Sequence, residues 1–328
     1  MVDRERIAAV ITTYNGATRG YMLEAIASVL SQTMQPSEIL VVDDGSTDGT
    51  AEYLRERFGG AVRVESLSKN AGPSAARNHG VRLAVCPLVA FLDDDDVWLP
   101  ARLEEQIAVM KEGGARMVFG RAELIDSRGT VLPDRWPTYP EALSWPGILF
   151  RNPVQGPSGV LVRREALLAA GGFPEAFRIA EDWVLWARIA RLTPIRFLDK
   201  VVSRYRQHDQ QAAAGRSTTW IREQTLAALR ELVRELPPAQ AALVLSSYVA
   251  GGALRALANR KPREALRLAR AATGRVDWPS LVRRAAVSTL GGVSPRFFAA
   301  ANRMELRRLV EWFRRLDIAQ PGHNEATG

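Results

Sequence analysis

Residues 39–42 read Ile-Leu-Val-Val, a run without one polar position, and this constrains the chain more than any other stretch. Alternate side chains of a strand point to opposite faces, so a strand that is apolar throughout must be covered on both. A parallel sheet sandwiched between crossover helices meets that requirement. The flanking sequence supplies the parts. β-rich runs occupy 7–12, 62–67 and 88–92, and helical patterns fall between them. Leu23, Ile26, Ala27 and Leu30 share one helix face, Ala51, Tyr53 and Leu54 belong to a second helix, and 74–84 forms a third. The turn 43–48, Asp-Asp-Gly-Ser-Thr-Asp, offers side chains that can cap the helix after it. This alternation predicts an α/β fold. In such folds ligands bind beyond the C-terminal ends of the strands. Three polar sets stand there: Thr12-Thr13-Tyr14-Asn15, Asp43-Asp44-Gly45-Ser46 and Asp93-Asp94-Asp95-Asp96. They are expected to converge on one crevice.

The third set follows the strand at 88–92 directly. Four adjacent carboxylates repel one another, which a cation among them would relieve. Oxygen ligands favour Mg²⁺ or Mn²⁺, and an open carboxylate site for such an ion completes its shell with phosphate oxygens. The run therefore points to a metal-bound phosphorylated substrate; the plain alternative is a solvated acidic turn. A calcium loop fits poorly, because the aspartates are adjacent rather than alternating and no glycine stands at the sixth place.

The chain has 328 residues, 47% of them hydrophobic, enough for one large domain and a smaller unit. We place the boundaries at 1–210 for an α/β domain and 211–328 for a basic, helical C-terminal region. Charge supports the division: residues 211–328 hold 19 Arg or Lys against 9 Asp or Glu, whereas 1–210 is net −2 within a total of +8. Such a basic region suits an anionic partner such as a membrane surface, a lipid phosphate or a nucleic acid, or reflects an arginine-rich composition alone. Leu306, Leu309, Val310 and Phe313, flanked by Arg303, Arg307, Arg308, Arg314 and Arg315, make a basic amphipathic helix. It has two readings, packing on protein and resting on a bilayer. The apolar stretch 236–254 is interrupted by Pro237, Pro238, Gly251 and Gly252 and reads as a buried helix from Ala239 onward. No charged-then-apolar leader opens the sequence, so a cytoplasmic chain is expected, peripheral at the inner face of the membrane if the basic helix rests there. The single cysteine, Cys86, excludes an internal disulfide framework and reads as a small apolar packer.

Five segments in order, ITTYNG (11–16), SVLSQT (28–33), ILVVDDGSTDGT (39–50), NAGPSAARNHG (70–80) and AFLDDDDVWLP (90–100), resemble the family 2 glycosyltransferases. The likeness extends through GGFPEAF (171–177) and AEDWVLWARIA (180–190), about the first 210 residues. The resemblance implies a GT-A type nucleotide-sugar-binding domain with a central, mostly parallel sheet. It further implies inverting transfer of a sugar from a nucleotide diphosphate, with a divalent metal, Mn²⁺ or Mg²⁺. Partners so implied are a nucleotide-sugar donor and a glycan or lipid-linked acceptor, with peripheral membrane contact through the C-terminal helix and no nucleic acid.

Carried onto this sequence, the resemblance gives Asp93 and Asp95 the metal positions, with Asp94 between them at the cofactor. Thr12, Tyr14 and Asp44 hold the nucleoside, the aromatic ring stacking on the base and the carboxylate accepting from a ring N–H. Arg77 reaches donor phosphate or base, and His208 ligates the metal or touches diphosphate. Asp96 is expected to cap the helix near Pro100 or hydrogen-bond the acceptor. An inverting displacement needs a base to take the acceptor's proton, and Asp182, at the start of an aromatic-rich helix, is that base. Burial would raise its pKa while Arg178 and Arg188 would oppose the rise. Glu181 is expected to orient acceptor or scaffold. Trp98, Trp136 and Trp145 are candidates to stack on sugar rings or to fill the core. His79 reads as structural.

Rival chemistries fit less well. An aspartate-nucleophile phosphatase needs a second Asp two residues after the first, where Gly45 follows Asp43. A metal-dependent nucleotidyltransferase would carry a glycine-rich phosphate loop after the first strand, and TTYNGATRG is a poor one. An inactive, glycosyltransferase-like binding module acting through its basic tail would have no use for Asp44, Asp93, Asp95 and Asp182 together. UDP is the expected nucleotide, with GDP and dTDP open.

Overall fold

A computed structural model of the chain describes residues 6–135, 143–211 and 215–258. Two compact units divide at Leu232, and each is described by itself.

The first unit is built on a nine-stranded sheet of order β3-β2-β1-β4-β8-β6-β9-β5, with β7 paired to β6. Its first half is wholly parallel: β1 (Ile7–Thr13) lies between β2 (Glu38–Asp43) and β4 (Leu88–Asp93), and β3 (Arg63–Ser66) forms the edge. Every residue of β1 is buried. One face, Ile7, Ala9 and Ile11, packs with Met22, Ile26 and Val29 of α2 (Met22–Leu30) and with Leu103, Ile107 and Met110 of α5 (Arg102–Gly113). The other face meets α4 (Pro73–Leu83) so closely that a Cβ on Gly80 would lie 2.4 Å from Val10 Cγ1. The helices before and after β2, α1 (Gly16–Arg19) and α3 (Thr50–Phe58), complete this half.

The second half is mixed. β8 (Val160–Arg163) runs antiparallel to β4 and to β6 (Met117–Ile125). β9 (Ile195–Arg206) runs parallel to β6 along its whole length, and the two-residue β5 (Val97–Trp98) pairs antiparallel with β9. β7 (Val131–Arg135) borders β6. Between β8 and β9 lie α6 (Arg164–Ala169) and α7 (Glu181–Leu192), whose Trp186 is fully buried against Phe91 and Phe173. α8 (Thr218–Leu232) closes the unit. In the second unit, α9 (Pro238–Ala258) buries Val244 and Val249. No helix among the described residues is long and apolar enough to cross a membrane. The basic helix around residues 303–315 lies outside the described residues.

The strand order reverses between β1 and β4, which is where an open α/β sheet forms its crevice. There Thr12 pairs with Asp93, and Thr13 with Asp43. All three polar strand ends thus meet at the reversal.

Candidate functional site

The turn after β2 is fixed by its own side chains. Asp43 accepts from the Ser46 N–H at 3.2 Å, and Ser46 Oγ accepts from the Asn15 N–H at 2.8 Å. Asn15 takes the left-handed conformation at φ 50°, and its Oδ1 accepts from the Thr47 N–H at 3.0 Å. Gly45, at φ +69°, must be glycine: a Cβ there would lie 2.4 Å from the Lys69 carbonyl carbon. Asp44 is buried, and its two oxygens accept from the Ala71 and Gly72 N–H groups, each at 2.8 Å. Burial raises its pKa, those two donors oppose the rise, and Arg178 adds a smaller opposing charge. Asp44 therefore shapes the turn at 70–72 with both oxygens. Tyr14 beside it is 41% exposed, its ring free to receive a planar partner.

The four aspartates at the end of β4 face four different partners. Asp93 accepts from Arg77 Nη2 at 2.7 Å, and its N–H donates to Ser158 Oγ at 3.1 Å. Asp94 accepts from Arg19 Nη2 at 2.6 Å and from the Thr13 hydroxyl. Asp95 Oδ2 lies 2.9 Å from His208 Nε2. Asp96, fully buried, accepts from the backbone N–H of Arg206 at 3.0 Å. This disposition explains how adjacent carboxylates coexist. Burial pushes the Asp94 carboxyl up to about 7, against the pull of Arg19, and lifts Asp96 well above the usual carboxylate range. Asp93 and Asp95 alternate with those buried groups and keep side-chain exposures of 24% and 15%, so they are the two that the crevice sees. Asp96 does not cap the helix after Pro100, which begins at Arg102 without a side-chain cap; its carboxyl is held in the frame of the turn.

Across the crevice, α7 begins with Glu181 and Asp182, preceded by Ala180 in the left-handed region at φ 64°. The Trp183 indole donates to the Ile148 carbonyl at 2.7 Å, tying the helix to the segment before β8. Asp182 Oδ1 accepts from the Trp183 N–H at 2.6 Å, and the Asn152 side chain is within hydrogen-bonding reach. Burial, with the Glu181 charge adding, raises the Asp182 pKa to about 7, against the Trp183 N–H, Arg77 and Asn152. The cation acting on Asp182 is thus Arg77. Arg178 lies instead against Gly72, and Arg188 against Gly171.

Several residues here had no signal of their own in the sequence. Arg19 sits on the short α1, and Ser158 in a 3-10 turn before β8. Tyr205 of β9 feels the charges of Asp96, Asp95, Asp93 and Asp182, which with its burial push the phenol well above its ordinary value. Its place three residues before His208 is the pointer that the sequence offers. Arg206 donates to the Asp95 carbonyl at 2.8 Å and stacks over Tyr21. Trp98 is core: its indole donates to the Phe91 carbonyl and Arg102 covers its ring. Trp145 is half-buried beneath Arg191, and Trp136 lies outside the described residues.

The donor set fits a divalent ion. Asp95 and His208 already converge, and oxygen with imidazole nitrogen is a set that Mn²⁺ accepts. Among the described residues no group of three or more His, Cys, Asp or Glu side chains is arranged to hold a metal ion.

Comparison with known proteins matches the model for glycosyl transferase family 2 to residues 8–169. A UDP-Glc:alpha-D-GlcNAc-diphosphoundecaprenol beta-1,3-glucosyltransferase, WfgD of Escherichia coli, is 30% identical over 193 residues, 58% of this chain and 72% of that protein. The chain belongs to glycosyl transferase family 2. A second relative, the putative teichuronic acid biosynthesis glycosyltransferase TuaG of Bacillus subtilis, is 35% identical over 168 residues, half of this chain and 65% of TuaG. An uncharacterized glycosyltransferase of Rickettsia felis is 32% identical over 202 residues, and the match spans only 33% of its length. Among solved structures, S. aureus TarS 1–349 in complex with UDP-GlcNAc superposes with a TM-score of 0.61 at 21% identity, covering 95% of this chain and 88% of that one. The family's GT-A fold is thus the fold of this chain.

Proposed function

We propose that this family 2 member is an inverting glycosyltransferase that moves a sugar from a UDP-sugar to a hydroxyl of a lipid-linked glycan in bacterial surface polysaccharide assembly. One observation carries the reading: Asp182, with its pKa raised to about 7, is linked to the partly exposed Asp93 through Arg77, which pairs with Asp93 and with Glu181 and acts on Asp182. A base and a phosphate-side anchor on opposite walls are what an in-line displacement needs. WfgD, a glucosyltransferase from UDP-Glc to a GlcNAc-diphosphoundecaprenol, and TarS, solved with UDP-GlcNAc, support UDP and a lipid-diphosphate acceptor.

In this reading the acceptor oxygen bonds to the anomeric carbon while the bond from that carbon to the diphosphate breaks and its electron pair leaves with UDP. Asp182 takes the acceptor's proton. Tyr14 stacks on the base, Asp44 holds the nucleoside end through the turn it shapes, Thr12 stands beside it at the end of β1 with its hydroxyl on Asp93, and Asp94 braces the donor wall through Thr13 and Arg19. Asp95 and His208, with Asp93 beside them, would hold Mn²⁺ or Mg²⁺, which when bound stabilises the charge developing on the leaving diphosphate. Residues 1–210 with α8 form the catalytic body, and the C-terminal region serves the acceptor side at the inner face of the membrane.

The test is Mn²⁺-dependent hydrolysis of a panel of UDP-, GDP- and dTDP-sugars by wild type, Asp95→Ala and Asp182→Asn. Slow release of UDP, lost in both variants, is expected. Absence of turnover and of Mn²⁺-dependent nucleotide binding across the panel would overturn the reading.

A further inference from the structure

A guanidinium that grips a donor phosphate has to face the crevice, and Arg77 does not. It is 5% exposed, with Nη2 donating to Asp93 at 2.7 Å and Nη1 to Glu181 at 3.1 Å. Its Nε is buried without a hydrogen-bond partner, so the group is oriented by its two carboxylates and not by the greatest number of bonds. The surroundings lock it further. The Phe173 ring lies 5.3 Å from the guanidinium, and Asn78, one residue along α4, holds both backbone groups of Phe173 at 2.8 Å. α4 itself is pressed onto β1 at Gly80.

We propose that Arg77 is a positioning residue: its planar fork fixes the separation between the acidic end of β4 and the start of α7, holding donor wall and base wall in register. The inference rests on the reading of Asp182 as the base and of Asp93 and Asp95 as the donor side. Arginine suits the task because its two arms leave one rigid plane at a set angle, whereas lysine offers a single point charge on a flexible stem. Displacing reacting groups by about 1 Å can cost on the order of 100-fold in rate without changing how the donor binds.

The experiment compares wild type, Arg77→Lys, Glu181→Gln and the double variant, measuring kcat with the donor sugar nucleotide, the Kd of UDP in Mn²⁺, and the thermal midpoint. Arg77→Lys is expected to lose on the order of 100-fold in kcat while its UDP Kd stays within about threefold of wild type. Glu181→Gln keeps an acceptor but drops the charge, and is expected to lose about tenfold in kcat at unchanged UDP affinity. In the double variant the two losses should not multiply, because both act through one contact. UDP affinity that weakens in step with kcat would place Arg77 on the donor and overturn the proposal, as would independent, multiplying losses. If Arg77→Lys does not fold, Glu181→Gln decides alone: unchanged kcat overturns the clamp. Wild type that neither binds UDP nor turns over would sink the underlying reading of the site, a result distinct from wild-type activity with an unaltered Glu181→Gln.

Discussion

Asp182→Asn should cost activity and add stability, in amounts set by the same burial. The native carboxyl titrates at about 7 instead of 3.8 in the unfolded chain. The folded state therefore keeps a proton that the unfolded state has released, and stability falls as pH rises through that window. At about 1.4 kcal/mol per pH unit, the wild type carries a penalty of about 4 kcal/mol at pH 8 and about 2 kcal/mol at pH 5. Asparagine has no such penalty. Its carbonyl can still accept from the Trp183 N–H, but its NH₂ meets the Asn152 side chain, returning about 1–3 kcal/mol. The variant should exceed wild type by about 1–3 kcal/mol at pH 8, an advantage that shrinks by about 2–3 kcal/mol at pH 5. Urea unfolding followed by tryptophan fluorescence at the two pH values measures both quantities. Meanwhile kcat/KM should drop by about 10²–10⁴, and the wild-type rate should decline about tenfold per unit below pH 7. A variant less stable than wild type at pH 8, with no narrowing of the difference at pH 5, would refute the buried, proton-holding carboxyl. Retained kcat/KM would refute its role as base.

Asp95→Ala removes the partner of His208 and should weaken Mn²⁺-dependent UDP binding by about 10–100-fold, read by calorimetry, whereas UDP binding without metal should be unchanged. Arg102→Met strips the Ser158 and Val160 carbonyls of their buried donor, while the Phe91 carbonyl keeps the Trp98 indole; a loss of about 3–5 kcal/mol in urea unfolding is expected, and one under about 1 kcal/mol would show that water replaces it. Ala180→Gly relieves the left-handed strain before α7 and should raise stability by about 1 kcal/mol in the same assay, with a lower kcat as the start of the helix loosens.

The parallel half of the fold was legible because β1, β2 and β4 are apolar on both faces and each ends abruptly in polar residues. β9 was not, and of α5 only the start near Pro100 was; the reason is visible in their buried positions. α5 presents Arg102 and Gln106 to the interior, where they serve carbonyls of β4, β6 and the turn before β8, so its apolar stripe is too thin to mark how far the helix runs. β9 buries Ser203 and Arg206 alongside Val202 and exposes Lys200, which hides the alternation of a strand. The described part of the stretch before β8 is tied to α7 and to β6, through Trp183 on the Ile148 carbonyl and the Ala122 N–H on Gln155, contacts that no pattern in the sequence announces. Residue types at the site were readable, but their pairings were not: nothing in a row of four aspartates says that each will find a different partner.

Those partners lie at very different distances along the chain. Arg77 and Arg19 precede the acidic run and are already made when it leaves the ribosome, 16 and 75 residues from Asp93 and Asp94. Arg206 and His208 lie 110 and 113 residues beyond Asp96 and Asp95. The parallel half can thus collapse around its own strands while half of its acidic run still awaits a strand not yet synthesised. A nascent chain halted before β9 would hold the turns after β1 and β2 and the Arg77 pairing to Asp93, yet Asp95 would have no histidine and Asp96 would have Ser158 but not the Arg206 N–H. The crevice becomes a finished site only when the last strand docks.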